Sequence, residues 1–126
     1  MMCVKSSVKY SPIHGLGCFA DEKIKKGQVV WELNPKIDLE FSETELAAFS
    51  EITKDFLRTY SYGQQNASGK CYVLCGDHAR HMNHADDPNL LEVNGKNVAA
   101  RDIEAGEELT CDYTIFDLDY RQKLRP

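Results

Sequence analysis

Residues 80–89, RHMNHADDPN, and residues 106–113, GEELTCDY, decide how this sequence is interpreted. Each segment combines polar and ring side chains with turn-forming residues such as Pro88 and Gly106. Such a mixture is unusual in a hydrophobic core and is typical of loops that hold a ligand. The two segments therefore predict a binding site assembled from separate parts of the chain.

A third segment, GLGCFA at residues 15–20, completes a pattern that resembles the SET-domain family of protein-lysine methyltransferases. The three segments occur in the family's order and at compatible spacing, and the similarity extends over residues 4–115. The resemblance implies a mainly β, β-clip-like fold, with small curved sheets, a C-terminal pseudoknot and one helical insert. It also implies a single domain over residues 1–126 that ends in a short tail at residues 114–126.

The composition is that of a globular protein inside the cell. At 126 residues, with 42% hydrophobic and 28% charged residues, the chain is large enough for one hydrophobic core. It has no apolar run of membrane-spanning length and no signal-peptide pattern at its start. Five cysteines cannot all pair with one another, which favours reduced thiols. We therefore expect an intracellular protein, in the cytoplasm rather than in the nucleus, with no membrane partner.

The net charge of −5, from 20 acidic and 15 basic residues, argues against a large nucleic-acid interface, because such interfaces are usually basic. An acidic surface suits a basic partner, including a protein or peptide that presents a lysine. The simpler explanation is that the charge keeps the protein soluble. We expect a lysine-bearing substrate and no direct nucleic-acid partner.

Short β-rich runs separated by turn residues predict most of the secondary structure. These runs are residues 3–10, 18–20, 28–33, 71–74, 90–93, 97–100 and 108–111. The pair Asn94-Gly95 predicts a tight hairpin turn between two of the strands. The polar segment at residues 63–69 predicts a loop.

One helix is predicted to begin at Ser42 and to end near residues 58–60. Ser42 with Glu45 forms a capping box, and Phe41 with Leu46 fits a hydrophobic staple. Apolar residues recur at helical spacing at Leu46, Phe49, Ile52, Phe56 and Leu57. This spacing predicts one continuous apolar face that is buried in the core.

The resemblance implies S-adenosylmethionine-dependent transfer of a methyl group to a lysine amine in a narrow tunnel. The amine must first lose its proton, because the pKa of free lysine is about 10.4. A desolvated tunnel beside a cationic sulfonium favours the neutral amine. By resemblance, Tyr113 is the catalytic residue that orients the amine and the methyl group. The alternative is a half-buried strand tyrosine with a satisfied hydroxyl.

By the same resemblance, the residues that bind the S-adenosylmethionine cofactor are Gly15, Leu16, Gly17, Asn83 and His84. The Asn83 side chain and the backbone around His84 would contact the amino-acid and adenine parts of the cofactor. Glycines let the backbone approach a ligand closely because they have no Cβ. The alternatives are a loop cap for Asn83, a core histidine for His84 and an ordinary β-turn for the glycines.

The resemblance also suggests aromatic contacts. Phe116 and Tyr120 in the tail are candidates for stacking on the adenine, although packing of a terminal turn explains them equally well. Tyr60 and Tyr62 are candidates for lining the lysine tunnel, with a core or surface role as the alternative. Cys111 occupies a tunnel position at which relatives often carry a phenylalanine or tyrosine that limits methyl addition. Its smaller thiol leads to the hypothesis that more than one methyl group can be added.

Many relatives carry a cysteine-rich zinc segment after the catalytic tyrosine, but residues 114–126 contain no cysteine. The cofactor must then be covered by this tail, by another subunit or by the substrate. The chain resembles the minimal viral and bacterial members of the family, some of which dimerise. A homodimer is therefore one expectation.

No metal site is expected, although Cys71, Cys75, His78 and His81 are spaced like zinc ligands. If residues 71–75 are extended, the two cysteines lie about 13 Å apart. Two sulfur ligands of one zinc ion lie about 4 Å apart. Only a sharp bend would restore the site, which would make the protein a zinc-binding interaction module.

A further alternative is a non-catalytic SET-like module that binds a peptide or a partner protein. Loss of a key side chain would indicate such a module. Because Tyr113, Asn83 and His84 are all present, the sequence favours the enzyme.

Overall fold

The computed structural model of the protein describes residues 1–124, so Arg125 and Pro126 of the predicted tail lie outside the described residues. The strands are β1 (Ser6–Tyr10), β2 (Leu16–Ala20), β3 (Val29–Trp31), β4 (Leu39–Ser42), β5 (Ser61–Asn66), β6 (Gly69–Leu74), β7 (Asn83–His84), β8 (Leu90–Val93), β9 (Lys96–Ala99) and β10 (Thr110–Cys111). The helices are α1 (Glu43–Ala47), α2 (Glu51–Tyr60), α3 (Tyr113–Phe116) and α4 (Tyr120–Lys123), with a 3₁₀ helix at His78–His81. The predicted mainly β architecture is confirmed.

The strands form small sheets with short connections. β1 pairs with β2, β9 lies between β3 and β8, and β6 lies between β4 and β5. The turn at Asn94-Gly95 joins β8 to β9, and its residues have positive φ angles of 52° and 80°. These angles are those of the predicted primed hairpin turn. No helix within residues 1–124 has the length and hydrophobicity that a membrane crossing requires.

One apolar cluster holds the sheets together. It includes Ile24, Val30, Leu90, Ile103 and Leu109, each at most 1% exposed. Ile24 and Ile103 also form an isolated backbone bridge between distant segments. Each side chain of this kind contributes roughly 1.5–3 kcal/mol when it is fully buried. The cluster therefore fixes the framework on which the loops of the site are mounted.

The C-terminal segment threads through the fold. β10 lies parallel to β7, and the Leu118 N–H donates to the Gly63 carbonyl oxygen of β5 at 2.9 Å. Residues 110–118 therefore pass between β7 and β5. This crossing corresponds to the pseudoknot that the resemblance implied, and it brings Tyr113 against His84.

The predicted single helix is in fact two helices. The capping box of Ser42 and Glu45 is present at the start of α1, as predicted. Helix α1 ends at Ala47, and Ser50 begins a new helix by accepting a hydrogen bond from the Thr53 N–H. A serine that caps a following turn competes with continuation of the preceding helix, which explains the break.

The prediction of a continuous buried helical face is wrong. Ile52 is 84% exposed, Phe56 is 40% exposed and Phe49 is 36% exposed, whereas Leu57 is only 3% exposed. Helix α2 packs mainly against the single strand β5. One contacting strand is too narrow to cover a full apolar stripe, so most of the stripe stays at the surface.

The predicted loop at residues 63–69 is a β-hairpin instead. β5 and β6 pair continuously from Ser61 opposite Leu74 to Asn66 opposite Gly69. The backbone hydrogen bonds of the ladder do not depend on side-chain polarity, so polar residues can occupy these strands. Gly69 permits the tight turn with a φ of +119°.

Candidate functional site

A wide cavity opens beside the pseudoknot. It has a volume of about 1120 Å³ and is lined mainly by residues 13–16, 58–60 and 80–84. Tyr113 closes one side of it. Of the five residues that the resemblance implies for cofactor binding, four line this cavity, and they are Gly15, Leu16, Asn83 and His84.

A narrow cavity of about 110 Å³ adjoins the wide one. The three predicted tunnel residues line it, and they are Tyr60, Tyr62 and Cys111. Phe116 lines this narrow cavity and not the wide one. The wall shared by the two cavities consists of Thr59, Tyr60, Arg80, Met82, Tyr113 and Lys123. The two spaces therefore meet at Tyr113.

Asn83 presents an unused acceptor to the wide cavity. Its Nδ2 donates to the carbonyl oxygens of His14 and Leu16, each at 3.1 Å, and to Glu108 Oε2 at 2.9 Å. Among residues 1–124, no hydrogen-bond donor reaches its Oδ1. Because Asn83 lies in the wall of the wide cavity, this oxygen is open to a ligand that carries an N–H donor, such as an ammonium group.

The two glycines near the start have different surroundings. Gly15 has a φ of +48° and lies in the cavity wall, where a residue with a Cβ would be strained. Gly17 is buried and lies outside that wall. A Cβ on Gly17 would come within 2.5 Å of Glu108 Oε2, and Ser11 Oγ donates to the same carboxylate at 2.7 Å. Gly17 thus makes room for the carboxylate that holds Asn83.

His84 positions Tyr113. Its Nδ1 accepts a hydrogen bond from the Tyr113 backbone N–H at 3.1 Å, so the proton of the neutral ring is on Nε2. That nitrogen lies 3.0 Å from Asp86 Oδ1. The two bonds fix the tautomer and the ring orientation. His84 therefore holds the start of α3 in place from the side of the wide cavity.

Tyr113 is a hydrogen-bond donor at neutral pH. Burial raises the pKa of its hydroxyl above the usual range, and the neighbouring Cys111 and Asp117 raise it further. The hydroxyl donates to the Met82 carbonyl oxygen. Because the group stays protonated, Tyr113 is suited to orienting a reactant and not to removing a proton from it.

Aromatic rings surround the narrow cavity. The Tyr62 and Phe116 centroids lie 5.2 Å apart, and those of Tyr113 and Phe116 lie 5.9 Å apart, both nearly perpendicular. Trp31 also lines this cavity, and its buried indole N–H has no hydrogen-bond partner in the described part of the chain. The lining therefore combines aromatic rings with polar side chains, and the indole N–H is one donor that an acceptor on a ligand would satisfy.

A lysine ammonium group already lies at the junction of the cavities. Asp117 is 2% exposed, and its Oδ1 accepts from the N–H groups of Gly63 and Asp119 at 2.9 Å. Its Oδ2 accepts from Lys123 Nζ at 2.6 Å. Lys123 Nζ also donates to the Ser61 carbonyl oxygen. No local sequence pattern indicates this pair, because the tail is brought into the site by contacts with residues far away in the sequence.

The SET-domain family model matches residues 15–114, a range that contains all three of the sequence segments described first. The chain belongs to the SET-domain family. The match agrees with the mainly β fold of small sheets, and this family is one of protein-lysine methyltransferases. No curated protein sequence matches the chain significantly.

Solved structures of Chaetomium thermophilum Polycomb Repressive Complex 2 resemble this SET domain. An apo, autoinhibited form is 26% identical, covers 96% of this chain and 17% of its own, and has a TM-score of 0.71. A form bound to S-adenosylmethionine is 27% identical, with coverages of 96% and 16% and a TM-score of 0.68. A humanized mutant bound to an inhibitor is 25% identical, with coverages of 94% and 16% and a TM-score of 0.68. The SET domain thus spans about a sixth of those chains.

The remaining predicted residues of the SET domain lie away from the wide cavity. Tyr120, proposed to stack on a ligand, lines neither cavity, and its hydroxyl oxygen accepts from Arg121 Nε at 3.2 Å.

All five cysteines are unpaired. Burial raises the pKa of Cys18 and of Cys75 to about 12, so both thiols are protonated and poorly reactive. Within residues 1–124, no three His, Cys, Asp or Glu side chains lie close enough to hold a metal ion.

Proposed function

We propose that this SET domain is an S-adenosylmethionine-dependent protein-lysine N-methyltransferase. The observation that carries the proposal is the junction of two cavities at Tyr113. Methyl transfer requires two reactants to approach each other from opposite sides along one line. A wide cavity for the donor and a narrow one for a lysine side chain provide this arrangement.

The wide cavity offers suitable groups for the cofactor. Asn83 Oδ1 would accept a hydrogen bond from its ammonium group, and the positive-φ turn at Gly15 and the backbone of Leu16 would lie along it. His84, which accepts a hydrogen bond from the Tyr113 N–H, would hold Tyr113 in place at the edge of the wide cavity. When bound, S-adenosylmethionine would supply an electrophilic methyl group on a cationic sulfonium.

The narrow cavity would prepare the lysine amine. Tyr62 and Phe116 exclude water from around the amine, and desolvation favours its neutral, nucleophilic form. The Tyr113 hydroxyl, whose proton is directed to the Met82 carbonyl oxygen, leaves its oxygen lone pairs free to accept an N–H from the amine. Holding reactants in such a geometry supplies about 7–11 kcal/mol of a typical barrier.

The substrate would be a lysine-bearing protein or peptide. The net charge of −5 favours approach of a basic segment, and the acidic side chain of Glu92 lies in the wall of the narrow cavity. Positive residues near the target lysine would therefore strengthen binding.

The product would carry more than one methyl group. Cys111 is buried in the narrow cavity, where its thiol takes less space than an aromatic ring would. Mass spectrometry of a substrate methylated by the wild type should detect dimethyl-lysine or trimethyl-lysine. The Cys111→Tyr variant should shift the product toward monomethyl-lysine. Strict monomethylation by both proteins would contradict the role of Cys111.

Calorimetry with S-adenosylmethionine tests the main proposal. Wild type should bind in the micromolar range, Asn83→Ala should lose most of the affinity, and Tyr113→Phe should retain it. With a labelled methyl donor, Tyr113→Phe should transfer methyl groups about 10²–10³ times more slowly than wild type. A folded wild-type protein that does not bind the cofactor would instead favour a non-catalytic peptide-binding module.

A further inference from the structure

Ser11 joins the turn between β1 and β2 to Glu108, although it lines neither cavity. Its Oγ donates to the two carboxylate oxygens of Glu108 at 2.7 and 2.9 Å and accepts from the Ile13 N–H at 2.9 Å. Its backbone N–H donates to the Gly15 carbonyl oxygen at 2.8 Å. A hydroxyl has one donor and two acceptor positions, so Ser11 closes the turn and holds the carboxylate at the same time.

Glu108 in turn helps to orient the side-chain amide of Asn83. The Asn83 Nδ2 donates to Glu108 Oε2 at 2.9 Å. It also donates to the carbonyl oxygens of His14 and Leu16, each at 3.1 Å. All three partners are acceptors, so the NH₂ end of the amide faces them and Oδ1 faces away. The carboxylate is the charged partner among the three, and charge-assisted hydrogen bonds are the stronger ones.

The place of the Glu108 carboxylate is set from two sides. A Cβ on Gly17 would lie 2.5 Å from Glu108 Oε2 and 3.1 Å from the Ser11 Cβ, so glycine leaves the space that the carboxylate fills. The Ser11 hydroxyl supplies the hydrogen bond that holds the carboxylate there. In the described part of the chain, the other donor to this carboxylate is Asn83 itself. Ser11 therefore anchors the group that Asn83 leans on.

We propose that Ser11 is a positioning residue for S-adenosylmethionine, acting through Glu108 on Asn83. The inference rests on the proposed function, which assigns Asn83 Oδ1 to the ammonium group of the cofactor. Without the Ser11 hydroxyl, the carboxylate is free to rotate away, and the amide can turn its NH₂ end toward the cavity. Two donors that face each other form no hydrogen bond. Ser11 thus sets cofactor affinity without touching the cofactor.

Calorimetry with S-adenosylmethionine tests the proposal. Ser11→Ala should bind about threefold to tenfold more weakly than wild type. Ser11→Cys fills the same space with a weak donor, so it should also lose affinity, and it serves if the alanine variant does not fold. Ser7→Ala is the matched control, because Ser7 Oγ donates to Asp21 Oδ1 at 2.7 Å at the other end of the β1–β2 hairpin. It should bind as wild type does.

A double variant separates an action through Asn83 from a general loss of structure. Once residue 83 is alanine, Ser11→Ala has no amide left to misplace. The double variant should therefore match the affinity of Asn83→Ala to within about twofold. If the two single losses multiplied instead, Ser11 would act independently of Asn83, and the proposal would be overturned.

NMR provides a readout that needs no cofactor. The side-chain NH₂ signals of Asn83 report its hydrogen bonds to Glu108 and to the loop. They should move in Ser11→Ala and keep their positions in Ser7→Ala. Signals that stay unchanged in Ser11→Ala would show that the hydroxyl does not position this amide.

The wild-type titration separates failure of this inference from failure of the proposed function. If wild type binds the cofactor and the folded Ser11 variants bind it equally well, the positioning role is wrong and the proposed function stands. If the folded wild-type protein does not bind the cofactor, both proposals fail.

Discussion

Asn83 and Asn89 lie in the same segment and are both buried, yet their hydrogen bonds differ. Asn89 is 3% exposed; its Oδ1 accepts from the Thr110 N–H at 2.9 Å and its Nδ2 donates to the Glu108 carbonyl oxygen at 2.8 Å. Asn83 is 8% exposed and uses only its Nδ2. An asparagine with both ends bonded to protein supports the fold, whereas one with a free oxygen can also serve a ligand.

One residue connects the two asparagines. The main-chain oxygen of Glu108 accepts from Asn89, and its carboxylate accepts from Asn83. The same residue is therefore part of the fold through its backbone and part of the site through its side chain. Changes at these three positions can separate stability from binding.

The largest effect is expected for Asn89→Ala. The variant leaves the Thr110 N–H and the Glu108 carbonyl oxygen without partners in a buried region, and each unsatisfied group costs about 1–3 kcal/mol. Urea denaturation should show a free energy of unfolding lower by about 2–4 kcal/mol. Asn89→Asp, which keeps the acceptor for Thr110, should fall between wild type and Asn89→Ala. If Asn89→Ala lowered the free energy of unfolding less than Asn83→Ala does, the conclusion that Asn89 mainly supports the fold would be contradicted.

Asn83→Ala should weaken cofactor binding more than it lowers stability. Calorimetry should show at least a tenfold loss of S-adenosylmethionine affinity, about 1.4 kcal/mol or more, because the free Oδ1 is removed. The unfolding free energy should fall by only about 1 kcal/mol, since the His14 and Leu16 carbonyls border the open cavity. An unchanged affinity would show that Oδ1 does not meet the cofactor.

Glu108→Gln should have a smaller effect, and it should change cofactor affinity but not stability. The variant keeps the main-chain oxygen that Asn89 uses and replaces the charged acceptor of Asn83 and Ser11 with a neutral amide. We expect a twofold to fivefold loss of cofactor affinity and a change in unfolding free energy within about 1 kcal/mol. Calorimetry and urea denaturation on one preparation measure both quantities. A stability loss as large as that of Asn89→Ala would contradict the division.

The smallest effect concerns the thiol of Cys111, which follows Thr110 in β10. Burial raises the pKa of this thiol above its usual range, so at neutral pH it is protonated and reacts slowly. Asn89→Ala should loosen β10 and speed alkylation of Cys111 several-fold, as followed by mass spectrometry. Asn83→Ala should leave the rate near that of wild type. Equal acceleration in both variants would indicate that the two asparagines support β10 alike.

The sequence identified features whose causes are local. The capping box at Ser42 and the turn at Asn94-Gly95 involve only neighbouring residues, and both are confirmed. The three-segment pattern led to the family and to Asn83, whose surroundings the structure then supplied. Such features can be predicted from the sequence because they do not depend on residues that pack against them from distant parts of the chain.

Features that depend on distant contacts were missed. Ile52 is exposed because α2 meets only one strand, which helical spacing cannot reveal. The need for glycine at position 17 comes from Glu108, which lies far along the chain. Lys123 enters the junction only through threading of the tail. In each case the deciding neighbour is absent from the local sequence.

The parallel pairing of β7 with β10 has a consequence for the order of folding. The strands lie far apart in sequence, so closing them costs more chain entropy than closing a local hairpin such as β8–β9. The local hairpins β1–β2, β5–β6 and β8–β9 can therefore form before the tail has crossed, and a molecule caught at that stage has β structure but no junction. During refolding, binding of the methyl donor should recover later than the β structure does. The time at which binding recovers would therefore report when the tail has crossed.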